Sequence, residues 1–320
     1  MTPSPASQFP SVSETEAFFQ RQLERWEDAR GRFCALDTVQ TKELTLGTAS
    51  VSAQYNPSRI VSTGAKTDKS SIAKRACFLC ATNRPPQQIM LEAFDGNFQV
   101  LVNPFPILRG HLVIASAKHE EQCLAGHYAE LCTIAARLDG YIAFYNGARC
   151  GASAPDHLHF QSGKRGNIPI EKDWAHYRQN LRPTVMPGVS LLEGFACPAV
   201  VITEKSVERS IAVFEPFYAK LQKTFNEGEF PINVMVWKED DDLVTVVFLR
   251  SKHRPDCYYA AGETQLLISP GSVDMGGLLI TPRSEDFEKI TPEKAFAVLT
   301  EVTFSAKDID TFLDFCTAIK

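Results

Sequence analysis

The chain has no uninterrupted apolar run near the roughly 20 residues a membrane-spanning helix needs, so no membrane partner is expected. It has no surplus of positive charge either. Its 33 Lys and Arg stand against 38 Asp and Glu, a formal charge of −5, which argues against coating a nucleic acid. The opening residues, Met1-Thr-Pro-Ser-Pro-Ala-Ser-Gln8, show neither a basic segment nor an apolar run, and no secretory leader is expected. The nine cysteines are odd in number and mostly isolated, which disfavours a disulfide framework and fits a reducing compartment. The expected location is therefore cytoplasmic. No sequence-exact internal repeat is present. What is there is ordinary for a globular protein: 320 residues, 44% hydrophobic and 22% charged, enough for one large core or two smaller ones.

The informative stretch is Asn146-Gly-Ala-Arg-Cys-Gly-Ala-Ser-Ala-Pro-Asp-His-Leu-His-Phe-Gln161. Tyr141–Tyr145 before it is aromatic and branched, as a strand should be. After the turn pair Pro155-Asp156, polar and apolar residues alternate. On a strand that alternation puts His157, His159 and Gln161 on one face, with Leu158 and Phe160 in the core. Gly147 and Gly151 let the backbone approach a ligand, and their N–H groups suit a phosphate. The same His-x-His wording also occurs as plain polar decoration of an edge strand.

The rest reads as strands and covering helices. Ser13-Glu-Thr-Glu16 is a capping box that predicts a helix to about Arg30. Strands are expected at 43–46, 49–54, 98–106 and 111–115, followed by a helix over 120–139. A second unit begins near Val189. It has a strand at 198–203, a helix over 206–223, strands at 232–237 and 243–249, and two closing helices capped by Thr291 and Ser305. Cys77-Phe-Leu-Cys80 is open to three readings: a redox pair, half of a zinc site, or coincidence. Pro85 and Pro86 oppose a helix starting at Cys77, which weakens the redox reading. Lys164 and Arg165 follow the His-x-His strand and are candidate phosphate contacts. So are Lys252 and Arg254, in the basic cluster 250–254. Arg59, Lys66 and Lys74 read as a solvated loop and stay outside the candidate set.

Asn146, the two glycines, Ser153 and His157-Leu-His-Phe-Gln161 together resemble the active-site motif of the histidine-triad superfamily. The nearest likeness is to its transferase branch: galactose-1-phosphate uridylyltransferase, diadenosine tetraphosphate phosphorylase and GDP-hexose phosphorylase. The resemblance implies an α+β fold of two histidine-triad-like lobes, each a mainly antiparallel sheet covered by helices. Residues 1–53 would be an N-terminal helix and strands, partly flexible. Residues 54–188 would be the catalytic lobe, and 189–320 a second lobe completing the pocket.

The resemblance further implies a covalent nucleotidyl-histidine on His159, with His157 and Gln161 as its catalytic partners. Asn103, Asn146, Gly151 and Ser153 would bind substrate, and Phe105 and Leu108 would wall the base or ribose. Zinc-bearing relatives suggest a structural zinc on Cys77, Cys80, His119 and His157, with His111 competing for the third place. Glutamine at 161 cannot shuttle a proton, so transfer to an ionised phosphate or sugar phosphate is favoured over hydrolysis. Asp156 is extra relative to the uridylyltransferases, and Leu158 replaces their proline, which speaks against uridylyl-galactose specificity. The expected partners are a nucleotide sugar (GDP-hexose favoured) or a dinucleotide, a phosphate-type acceptor and, as in many relatives, a second copy of the chain. Three other readings stand beside this one: a dinucleoside polyphosphate hydrolase, a non-catalytic nucleotide-binding protein, and an oxidoreductase using Cys77 and Cys80.

Overall fold

Stretches such as Tyr141–Asn146 and Ile232–Trp237 are apolar at nearly every position, so their strands need cover on both faces. The computed structural model, which describes residues 9–65, 68–225 and 227–315, supplies that cover. Lys66 and Cys316 lie outside the described residues.

Strands β1 (Gln40–Leu46) and β2 (Ala49–Tyr55) form a hairpin. Then, single-turn helices aside, one order of elements occurs twice. The first run is β3 (Leu91–Ala93), β4 (Phe98–Val102), β5 (Leu112–Ser116), the helix Tyr128–Arg137, β6 (Tyr141–Asn146) and β7 (His159–Lys164). The second is β8 (Leu181–Pro183), β9 (Val189–Leu192), β10 (Ala199–Glu204), the helix Val207–Lys223, β11 (Ile232–Glu239) and β12 (Asp242–Leu249). In space the strands run β3-β4-β5-β7-β6-β11-β12-β10-β9-β8, so the second run is the first read from the opposite edge. Every pairing in this sheet is antiparallel. The α+β class with two strand-and-helix units is therefore what folds, and the units share one sheet. They meet at β6–β11, where Asn146 lies opposite Asn233 and Ile142 opposite Trp237.

Alternation sorts the core. Tyr141, Ala143 and Tyr145 enter the layer under the helices Tyr128–Arg137 and Val207–Lys223. Ile142 and Phe144 enter the opposite layer, with Trp174 and Trp237. The hairpin β1–β2 is completed by β13 (Leu278–Thr281), which runs parallel to β2 with Leu278 opposite Ser52.

Two predicted helices come out differently. Helix α1 (Val12–Arg25) starts before Ser13, because Ser11 and Glu14 have the same spacing and make the reciprocal bonds: Glu14 N–H to Ser11 Oγ at 3.3 Å and Ser11 N–H to Glu14 Oε2 at 2.8 Å. It breaks at Trp26 (φ −131°, ψ 89°), and α2 (Glu27–Ala35) follows. The helix expected over 120–139 is only Tyr128–Arg137. Gly126, at φ +76°, interrupts it and leaves 120–127 free to reach the loop between β6 and β7.

At the end of β12 the guanidinium of Arg250 is wholly enclosed. It donates to Asn233 Oδ1 (2.5 Å) and to the carbonyls of Pro270 (2.9 Å), Lys252 (3.2 Å), His253 (2.8 Å) and Val302 (3.1 Å). Removing it strands several buried acceptors at once. Arg250→Met is expected to lose about 3–5 kcal/mol in urea unfolding, whereas Lys252→Ala, whose ion pairs face solvent, loses less than about 1 kcal/mol.

Candidate active site

The loop between β6 and β7 carries no strand pairing, so its backbone must be held by side chains. Gln122 does this at both ends. Its Nε2 donates to the carbonyls of Asn146 (2.8 Å) and His159 (3.0 Å), and its Oε1 accepts from His159 N–H at 2.8 Å. Asn233 Nδ2 reaches Cys150 O at 2.7 Å and Asn146 Oδ1 at 3.0 Å. Ser272 adds two bonds to Asn146 Oδ1, from N–H at 2.6 Å and from Oγ at 2.8 Å. The second unit thus grips the loop through the Asn146 amide oxygen.

His159 begins β7 and is buried. Its Nδ1 lies 2.8 Å from the His157 carbonyl, which can only accept, so Nδ1 carries the proton and Nε2 holds a lone pair. Burial pushes this imidazole down to about 4, against the opposing pull of the His157 carbonyl, so the ring is neutral near pH 7. It lines a cavity of about 880 Å³ together with Gln161, Asn103, Asn146, Gly151 and Ser153.

The orientation of Gln161 follows from donor and acceptor bookkeeping on His111. Ile107 N–H donates to His111 Nδ1 at 3.0 Å, so the His111 proton sits on Nε2. That Nε2–H points at Gln161 Oε1, 3.0 Å away, and the Gln161 NH2 is left to donate elsewhere. Asn103 Nδ2 lies 3.5 Å from the same oxygen, while its Oδ1 accepts from Phe105 N–H at 2.9 Å. Burial and the nearby Arg59 charge push His111 down to about 3, which keeps it neutral. His111 therefore belongs to Gln161 and not to the cysteines.

His157 departs from the predicted row. It precedes β7, and its ring turns to Cys77 and Cys80, with Nδ1 at 3.3 and 3.6 Å from their Sγ atoms. Its Nε2 donates to Ser116 O at 2.9 Å, which leaves Nδ1 as a lone-pair donor. His119 Nδ1 lies 3.3 Å from Cys80 Sγ. The four ligand atoms lie within 4.8 Å of one another. Tetrahedral zinc with two sulfurs and two nitrogens has edges of about 3.3–3.8 Å. The sulfur–nitrogen distances of 3.3, 3.6 and 3.3 Å fall in that range, so the donor set suits such an ion. Burial raises the Cys77 thiol, but the His157 ring and the backbone N–H groups of Leu79 and Cys80 outweigh it and bring it to about 6. Asp156 braces the cluster. Its Oδ2 is 3.8 Å from His119 Nε2, and its Oδ1 accepts from Arg75 Nη2 at 3.1 Å.

The cations divide by their partners. Lys164 is paired with Glu16 at 2.7 Å, Arg165 with Glu171 at 3.1 Å and with Glu239, and Lys252 with Asp256 at 2.8 Å and with Glu301. None of the three lines the cavity. Arg254 does, as do Arg32, Arg59 and Arg75, and among the described residues only Arg75 of these four has a carboxylate within 4.0 Å. Arg59 is half-buried and spends one donor on Phe105 O at 2.8 Å. Phe105 lines the cavity under the Arg32 guanidinium (4.6 Å to the ring centroid), whereas Leu108 packs in the core.

Sequence reasoning set Arg59 aside as part of a solvated loop, left His253 unassigned within the basic cluster 250–254, and missed Arg75 and Gln122. Nothing in the local wording marks the last two, since each depends on which distant segment it meets. Gly151 was noticed, and its constraint is double. Its φ is +96°, and a Cβ there would sit 2.7 Å from Gly271 Cα. Gly166 has a similar φ of +101° but open space around it. Gly151→Ala is expected to cost about 1–3 kcal/mol and to exceed the cost of Gly166→Ala, measured by paired thermal unfolding.

No curated protein sequence matches the chain. Residues 18–164 match a family described as a domain of unknown function (DUF4922), and residues 187–320 match the GDPGP1-like, C-terminal domain family. Among solved structures, yeast Ap4A phosphorylase Apa2 is similar at a TM-score of 0.62 and 17% identity, covering 87% of this chain and 97% of that one. Its complex with Ap4A gives 0.61 and 16%, with the same coverage. The likeness to these structures is one of fold: the chain has the fold of yeast Ap4A phosphorylase Apa2, and its residues 187–320 match the GDPGP1-like, C-terminal domain family.

Proposed function

We propose that the chain is a nucleotidyltransferase of the phosphorylase type, acting on a nucleotide sugar, with GDP-hexose favoured, or on a dinucleoside polyphosphate. One observation carries this reading. The unprotonated His159 Nε2 lines the same cavity as the Gln161 amide and guanidinium groups that lack carboxylate partners. A neutral imidazole is a competent nucleophile toward phosphorus, and the cavity supplies donors for the oxygens that gain charge.

In this reading the Nε2 lone pair attacks the α-phosphorus, and the bond from that phosphorus to the bridging oxygen breaks. The leaving group is hexose 1-phosphate or a nucleoside polyphosphate. The Nδ1 proton stays on the ring and is shared with the His157 carbonyl as positive charge develops. Gln161 Nε2 donates to a non-bridging oxygen, and Asn103, Asn146, Gly151 and Ser153 line the nucleotide's seat. An oxygen of inorganic phosphate or a sugar phosphate then attacks the same phosphorus, the N–P bond breaks, and neutral His159 is restored. Residues 54–188 carry the chemistry and 189–320 complete the pocket. Cys77, Cys80, His119 and His157 would hold zinc, which would supply structural rigidity beneath the His157 carbonyl. A cytoplasmic setting would keep both thiols reduced.

The test is intact-protein mass after incubation with GDP-, UDP- and ADP-sugars and with diadenosine tetraphosphate, without acceptor. An acid-labile nucleoside monophosphate adduct is expected, GMP foremost, and it should be absent in His159→Ala with turnover down at least about a thousandfold. If nucleotides bind and no donor labels the protein, the transferase reading fails. Elemental analysis should find about one zinc per chain and a sharp loss in Cys80→Ser. A metal-free wild-type protein of unchanged thermal stability would remove zinc from the account.

A further inference from the structure

The second unit contributes a corner of the cavity that the nucleophile's surroundings leave unexplained. Arg254 is anchored from behind: Nε donates to Ser269 Oγ at 2.9 Å, and Nη2 donates to the carbonyls of Ala65 (3.0 Å) and Thr63 (3.4 Å). Its Cζ lies 4.2 Å from the centroid of the Tyr258 ring. Among the described residues its Nη1 has no hydrogen-bond partner and no carboxylate stands within 4.0 Å. His253 lines the cavity beside it, and its ring has no hydrogen-bond partner among the described residues. Burial and the flanking charges of Arg254 and Arg250 push that ring down to about 4.

This corner adjoins the catalytic loop. Gly151 abuts Gly271, two residues beyond Ser269. The buried Arg250 ties both segments together. It donates to the carbonyls of His253 and Pro270, and through Asn233 it reaches the Cys150 carbonyl. The wall is therefore set in place before any ligand arrives. A fixed guanidinium with a free donor, next to an imidazole that an anion would help protonate, suits a phosphate dianion.

We infer that His253 and Arg254 form a second phosphate subsite, distinct from the seat of the nucleotidyl phosphate. The subsite holds the phosphate of the leaving sugar phosphate and, in turn, the inorganic phosphate that replaces it. This rests on the transferase reading for its role, though its binding chemistry stands alone. The two occupants share one seat because each lies in line with the same phosphorus atom, once as leaving group and once as attacking group.

The experiment is calorimetric titration of the full chain with inorganic phosphate, glucose 1-phosphate and GMP, for wild type, His253→Asn and Arg254→Gln. Both variants are expected to weaken inorganic phosphate and glucose 1-phosphate by at least about tenfold while GMP shifts less than about twofold. Equal weakening of GMP would mean that Arg254 only clasps residues 63–65, and the inference falls. It falls equally if wild type binds no phosphate, or if only one of the two phosphates responds. Phosphate binding with the expected selectivity, in a protein that no donor labels, would keep the subsite and discard the transferase reading.

Discussion

An irregular loop that carries chemistry cannot be left to water when it is buried, and here its peptide groups are met by side-chain amides. Gln122 grips both ends of the stretch between β6 and β7, while Asn233 and Ser272 hold its start. A strand ladder would have fixed the backbone just as firmly, but it would also have flattened the loop and removed the concavity. Amide side chains satisfy the same donors and acceptors and leave the path of the chain free to curve. The cost is transferred to the second unit, which supplies Asn233, Ser272 and the guanidinium behind them. That dependence explains why a half with no His-x-His of its own is still needed for the site to exist.

How far the sequence disclosed this depended on the range of each interaction. The strands were readable because apolar residues at both parities need cover on two faces, whatever covers them. His159 and Gln161 were readable because a two-residue period puts them side by side on one strand. His157 fails the same rule, since it lies just before β7 and its ring answers to Cys77, eighty positions away, rather than to its neighbours. The helix Tyr128–Arg137 was foreseen too long for a related reason. Apolar spacing continued through Leu124, but Gln122 is worth more to the loop than to a helix. The choice between His119 and His111 was closed to sequence reasoning, because the two flank β5 closely and only their partners differ.

The charged residues teach the sharper lesson. Lys164, Arg165 and Lys252 sit next to informative motifs, yet each has a carboxylate of its own. Arg59 stands in a plain loop and Arg254 in the same cluster as Lys252, and among the described residues neither has a carboxylate within 4.0 Å. Nearness in sequence to a motif measured little. A place in the cavity wall without a carboxylate in direct contact measured more, since such a guanidinium keeps donors for an anion. Asp156 runs the other way. It departs from the uridylyltransferase pattern, and it joins Arg75 to His119, so the departure ties the Cys–His cluster to a cation of the cavity.

The parallel pairing of β2 with β13 places Ser52 against Leu278 and closes the small sheet over the cavity side of the molecule. During synthesis, β2 emerges early and waits with one edge bare until almost the whole chain has been made. Contacts so distant along the sequence form late, because a very long loop must close before they return any energy. The wall holding Ile280 depends on that late pairing. Until residues 278–281 have been made, the cavity that His159 lines lacks its Ile280 wall.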